Sequence, residues 1–304
     1  MSGRLLYWFL LKPLSILPYW MLYGISDFFC FVLYRCIGYR KKVVLGNLKM
    51  AFPEKSDLEL NTIAREFYAH FCDLVVEAIK NFSARESELR KRFVNVNPEI
   101  LDHYFNQGKG VIICGGHYAN WEMWGVSTPL QTQMPLVAIY KRLADAYLDE
   151  KMRETRRKTG LDLVPTREVK GFLEKNAGRN FGMVFAIDQS PADPKKSVWI
   201  EFLGQLSPSY FGAEKHAKEL NWPLVYGHAQ KIKRGYYTVR YSVVTENPSA
   251  FEDGELIQYV STFLEEDIRK VPYLWLWTHK RWKHQNKQPL GARTWSKADV
   301  SEKI

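Results

Sequence analysis

His117 and Glu122 stand five residues apart in "GGHYANWE", directly behind the apolar run 111–114. A histidine and a carboxylate are the parts of a general base and the group that orients it. In one helix, residues five apart lie about 140° apart and do not share a face. The two therefore meet only if His117 precedes the helix. Gly115 and Gly116 permit a tight turn off a strand. Asn120 suits an N-cap, which places Glu122 in the first helical turn, where the helix dipole favours a carboxylate. From there Glu122 reaches back to one imidazole nitrogen and leaves the other facing a substrate. Backbone N–H groups at the helix start can receive an oxyanion. The competing reading makes His117 a turn residue and Glu122 a helix cap, and so short a pattern does not decide between them. HxxxxE is not the HExxH of zinc enzymes, and no second histidine shares the helix, so no metal is expected. Cys114, inside the apolar run, reads as core.

The elements that must position this pair follow from the hydrophobic pattern. From Lys109 onward, apolar strand-like runs alternate with helical patterns: "GVIICG", "PLVAIYK", "LDLVPT" and "FGMVFAID" against "NWEMWGVSTPL", "DAYLDEKMRETRRKTG" and "REVKGFLEKNAG". The spacing predicts further strands in "VWIEFLG", "PLVYGHAQKI" and "YYTVRYSVVT", and helices in "SPSYFGAEKHAKELN" and "DGELIQYVSTFLEEDIRKV". This is the signature of an α/β fold with a mixed, mostly parallel central sheet flanked by helices. Upstream, "SDLELNTIAREFYAHFCDLVVEAIKNF" has helical periodicity, with Ser56 and Glu59 forming a capping-box pattern.

The N-terminus is apolar and aromatic, with "LLYWFLL" and then "PLSILPYWMLYGISDFFCFVLY". The second run approaches the ~20 residues of a membrane-spanning helix. Trp and Tyr favour membrane interfaces, and Arg35, Arg40, Lys41 and Lys42 would hold the downstream domain in the cytoplasm. No small-residue cleavage site marks a signal peptide. We expect an N-terminal membrane-anchoring helix or hairpin at 1–39, a domain at 40–290 and a tail at 291–304. The alternative for the first segment is a buried hairpin of a soluble fold. Lys and Arg number 43 against 33 Asp and Glu, a net charge of +10 that suits an anionic partner. Nucleic acid is not expected, because Tyr and Trp cluster with apolar residues rather than with arginines. The four cysteines form no CxxC pair, which points to reduced thiols.

"GGHYANWE" resembles the first motif of the glycerolipid/lysophospholipid acyltransferase superfamily, H-x4-D/E. Its glutamate form is similar to the lipid A late-acyltransferase branch. Four more blocks agree in order: "RKKVVLGNLKMAFPEKS", "VAIYK" with Arg156 to Gly160, "FAIDQS", and "PYLWLWTHKRWK". The resemblance covers residues 40–283.

The resemblance implies transfer of a fatty acyl group from an acyl carrier protein or coenzyme A thioester to a hydroxyl. His117 would be the general base and Glu122 its orienter, with no cofactor, metal or covalent intermediate. Lys141, Arg142, Arg156, Asp188 and Gln189 fall at substrate-binding positions. Lys141 departs from an arginine usual in the branch, and a lysine cannot grip phosphate in a bidentate fork. Ser190 and Pro191 replace the usual continuation after Asp188 and Gln189. The implied partners are a phosphorylated glycolipid or lysolipid acceptor, acyl carrier protein and the anionic membrane surface. The implied place is the cytoplasmic face of the inner membrane. Three functions stay open at this point: a lipid A precursor acyltransferase, an acyltransferase for another membrane lipid such as a lysophospholipid or aminolipid, and a basic membrane-surface protein without catalysis.

Overall fold

The β-branched and apolar runs of the sequence form two sheets in a computed structural model, which describes residues 2–289 and 291–301. The ten strands among the described residues are β1 (Phe93–Asn95), β2 (Val111–Gly115), β3 (Leu136–Tyr140), β4 (Leu161–Pro165), β5 (Gly182–Ala186), β6 (Val198–Phe202), β7 (Gln205–Ser209), β8 (Leu224–Lys233), β9 (Tyr236–Thr245) and β10 (Thr294–Trp295). Seven of them make the main sheet, in the order β1-β9-β8-β2-β5-β3-β4. All its neighbours run parallel except the hairpin β8–β9. That is the mixed, mostly parallel α/β sheet expected from the alternation. β2 at the centre is buried at every position, as a strand covered on both faces must be. A smaller sheet, β10-β6-β7, packs beside it.

Helices cover both sheets. The longest, Asp57–Lys80, starts at the expected capping box: Ser56 N–H donates to Glu59 at 2.8 Å, and Glu59 N–H returns to the Ser56 hydroxyl. Its buried face carries Leu60, Ala64, Phe67, Tyr68 and Cys72 into the core. Residues 207–209, expected as the start of a helix, instead belong to β7, and the helix begins at Gly212. The described part of the tail expected at 291–304 packs on the domain. Thr294 and Trp295 pair with β6, Val300 is fully buried, and Lys297 bonds the buried Glu265 at 2.6 Å. Residues 302–304 of that tail lie outside the described residues.

The N-terminal segment is a helical hairpin lying on the domain. One arm runs through Gly3–Leu6, Tyr7–Leu11 and Lys12–Ile16. The other runs from Tyr19 to Ile37, 19 residues long and apolar enough to cross a membrane, with only 17 % of it buried. Its inner face sets polar groups beside the buried Leu22 and Leu33. Ser26 bonds Asp73 at 2.8 Å, and Arg234 of the β8–β9 turn bonds Asp27 at 2.6 Å and Asp73 at 2.6 Å. Its outer face exposes Trp20, Phe28 and Phe31, and the first arm exposes Phe9.

Candidate functional site

β2 and β5 are parallel neighbours in register, with Gly115 beside Ala186. His117 follows β2 by two residues and Asp188 follows β5 by two. Both therefore leave the sheet at the carboxyl ends of adjacent strands, where open α/β sheets build their sites. His117 Nδ1 lies 2.8 Å from Asp188 Oδ1, and His117 N–H donates to Asp188 Oδ2 at 2.9 Å. Trp275 Nε1–H donates to the same Oδ2 at 2.8 Å. A carboxylate bound at Nδ1 fixes the tautomer that leaves Nε2 with its lone pair. Gln189 Nε2 donates to that nitrogen at 3.1 Å. The Trp121 ring packs edge-on against the imidazole, centroids 5.2 Å apart.

The electrostatics follow from these contacts. Burial disfavours the His117 imidazolium, but the Asp188 charge and hydrogen bond outweigh it, with Glu122 adding, so its pKa is raised. Burial likewise opposes ionisation of Asp188. The His117 charge, the two His117 hydrogen bonds and Trp275 win, holding it down at about 2. His279 Nε2 accepts from Ser190 N–H at 2.9 Å, and burial lowers its pKa to about 4, so it anchors the segment after Gln189 as a neutral ring.

The carboxylate bonded to the imidazole is thus Asp188, which the sequence placed among the substrate contacts, and not Glu122. Asn120 does cap the helix Trp121–Ser127, its side chain accepting from Met123 N–H at 2.8 Å. Glu122 does sit in the first turn. From there it turns away from the imidazole to Arg156 of the helix Ala146–Arg157, at 2.6 Å. The reason is the turn itself. Ala119 adopts a left-handed φ of 51°, which costs a non-glycine residue about 1–2 kcal/mol. Its N–H bonds Leu274 and its carbonyl accepts from His70 Nε2, both at 3.0 Å. That kink aims His117 toward β5 and the helix toward Arg156. Gly115 and Gly116 do not supply positive φ. A side chain at Gly115 would meet the Trp124 ring at 2.3 Å, and one at Gly116 would meet Leu264 at 2.7 Å.

Asp188 and Gln189 converge on His117, and Arg156 joins through Glu122. Lys141 and Arg142 do not. Both are exposed beyond the end of β3, and Arg142 pairs with Glu168 at 2.6 Å. Trp275 was missed, although it lies in the "PYLWLW" block; only its distance in sequence from Asp188 hid it. The same block explains the early one: Asn47 bonds the carbonyls of Trp277 and His279, each at 2.8 Å, and Arg40 bonds that of Thr278 at 3.0 Å.

Beside the site lies an apolar cavity of about 340 Å³. Glu122 and Arg156 border it, and Val75, Ala78, Ile79, Met152 and, from the N-terminal hairpin, Leu11 are among its walls.

The family model for bacterial lipid A biosynthesis acyltransferases matches residues 2–284. A lipid A biosynthesis palmitoleoyltransferase of Escherichia coli K12 is 21 % identical over 245 residues, covering 80 % of this chain and 79 % of the relative. A lipid A biosynthesis acyltransferase of Shigella flexneri matches to the same extent. With the family model running through the hairpin, the His117–Asp188 turn and the Trp275 block alike, the chain belongs to the bacterial lipid A biosynthesis acyltransferase family.

Proposed function

We propose that the protein moves a fatty acyl group from an acyl carrier protein thioester to a hydroxyl of a phosphorylated lipid A precursor, at the cytoplasmic face of the inner membrane. His117 Nε2 takes the hydroxyl proton as the oxygen attacks the thioester carbonyl. Asp188 stabilises the imidazolium that forms. The tetrahedral intermediate then collapses, the C–S bond breaks and the imidazolium returns its proton to the leaving thiolate. Gln189, already donating at Nε2, is placed to bind an oxygen at the reacting centre. Glu122 and Arg156 form the wall between this centre and the apolar cavity. Lys141 and Arg142, exposed at the same end of the sheet, are offered to an acceptor phosphate as it arrives.

The observation that carries the reading is the His117–Asp188 pair beside an apolar cavity of chain-like lining. The bilayer contact rests on the aromatic outer face of the hairpin and on Arg35, Arg40, Lys41 and Lys42 beside it. The bonds from Ser26 and Asp27 into the domain favour a helix resting in the interface over one that leaves the domain to span. The net charge of +10 suits both an acidic carrier protein and the anionic surface.

The test is acyl transfer by the purified full chain in detergent, with carrier-protein and coenzyme A donors and with a phosphorylated lipid A precursor or a lysophospholipid as acceptor. Transfer to the lipid A precursor, at lower concentrations of the carrier-protein donor, is expected. Transfer to the lysophospholipid alone would overturn the acceptor. The cavity makes a separate prediction. Ala78→Phe fills it and Met152→Ala enlarges it, and each methylene in an apolar pocket is worth about 1–3 kcal/mol of discrimination. With competing donors, Ala78→Phe should favour chains shorter by about two to four carbons, and Met152→Ala should favour longer ones. Product profiles that match the wild type in both variants would place the chain elsewhere.

A further inference from the structure

Side chains from the N-terminal hairpin, the turn after His117 and β9 share one buried carboxylate. Glu77, on the helix Asp57–Lys80, is fully buried. Its Oε1 accepts from the Tyr23 hydroxyl of the N-terminal hairpin at 2.8 Å. Its Oε2 accepts from Asn120 Nδ2 at 2.5 Å and from the Tyr237 hydroxyl at 2.9 Å. Asn120 is itself fully buried and caps the helix that follows His117. A second route runs alongside. Ser26 and Arg234 bond Asp73, Lys231 lies 3.8 Å from Asp73 and 3.3 Å from His70 Nδ1, and His70 Nε2 donates to the strained Ala119 carbonyl. Both routes start on the inner face of the hairpin and end on the turn that aims His117.

We propose that Glu77 is a positioning residue that couples the membrane-facing hairpin to the catalytic turn, so that the seating of Tyr23 sets the alignment of His117. The proposal rests on His117 being the base. The coupling has a physical basis in the turn. A left-handed alanine relaxes unless its neighbours over-determine it. Residues 118–121 are over-determined by Glu77 and His70 on one side and Leu274 on the other. The outer face of the hairpin is apolar and exposed, so a lipid surface that seats it also fixes Tyr23, and through Glu77 it fixes Asn120.

Glu77→Ala would strand three donors in a dry site and would test folding. Tyr23→Phe removes one hydroxyl and nothing else. Asn120→Ser keeps an N-capping oxygen but lacks the amide that reaches Glu77. The measurements are hydrogen–deuterium exchange of the segment 117–124 and kcat and KM for the acyl donor, on the full chain in phospholipid vesicles. In Tyr23→Phe, exchange in 117–124 should rise several-fold, and kcat should fall about threefold to tenfold with KM unchanged. The double variant should be no slower than Asn120→Ser alone, because both changes break one path. Exchange rising only in 19–31, or losses in kcat that multiply, would overturn the coupling. Exchange is read without turnover. Absent acyl transfer by the wild type would therefore sink the proposed function and leave the coupling to stand or fall by exchange.

Discussion

His117→Ala should lower kcat for acyl transfer about 10²–10⁴-fold, the usual contribution of a positioned general base, with little change in donor KM. The cavity that would hold the chain is lined by other residues, so binding should survive. The pH profile of the wild type makes the same point. In the proposed mechanism the base is the neutral imidazole, and its pKa is raised because the Asp188 carboxylate outweighs the cost of burial. The acid limb of kcat/KM should therefore lie above the ~6.5 of free histidine, with activity climbing through neutral pH as the proton leaves. The stability linkage has the opposite slope. A histidine with a raised folded pKa contributes stability that is complete below about pH 6.5 and is lost as pH rises through the folded value. Asp188, held down at about 2, contributes stability above about pH 4 that is lost as pH falls toward 2. A His117→Ala enzyme as fast as wild type, or an acid limb well below 6.5, would remove His117 from the chemistry.

What the sequence showed locally survived, and what depended on strand order did not. Asn120 as N-cap and Ser56 with Glu59 as capping box are set within four residues, and both are present. The strands β2, β3, β4 and β5 were legible from apolar runs bounded by turn residues. β1, of three residues, and β10, of two, are too short to show any alternation. The exposed apolar hairpin was legible as composition. The polar groups of its inner face, Tyr23, Ser26 and Asp27, became intelligible only once Arg234, Asp73 and Glu77 were seen beneath it. The partner of His117 was hidden for the same kind of reason. Asp188 lies 71 residues away, and they meet because β5, rather than β3, pairs with β2. Helical geometry offered Glu122 as the nearest carboxylate, and nothing local announced that Ala119 would kink the turn away from it.

Asp188→Asn and Glu122→Gln separate these two carboxylates by function. Asp188 accepts three N–H groups, from the His117 backbone, the His117 ring and Trp275. Asparagine keeps the shape but has one acceptor oxygen, and its NH₂ faces a donor wherever it is turned. If that NH₂ faces the ring, Nδ1 becomes the acceptor and the proton moves to Nε2, the atom that takes the hydroxyl proton in the proposed mechanism. This exchange of tautomers cost about 10⁴-fold in kcat where the same change was made in a serine protease triad, and a loss of about 10²–10⁴-fold is expected here. The surviving activity should carry its acid limb at lower pH than wild type, because the charge that raises the imidazole pKa is gone. Glu122→Gln keeps a hydrogen-bond acceptor for Arg156 and removes only a charge that acts on His117 through space. Its loss should be about tenfold or less, with the acid limb moved slightly down. Arg156→Lys should behave like Glu122→Gln, since it disturbs the same pair. The reverse order, with Glu122→Gln inactive and Asp188→Asn mild, would mean that the turn rearranges around substrate to bring Glu122 onto the imidazole. The three donors on Asp188 oppose that rearrangement, because swinging His117 away would leave a fully buried carboxylate with Trp275 as its sole remaining partner among them.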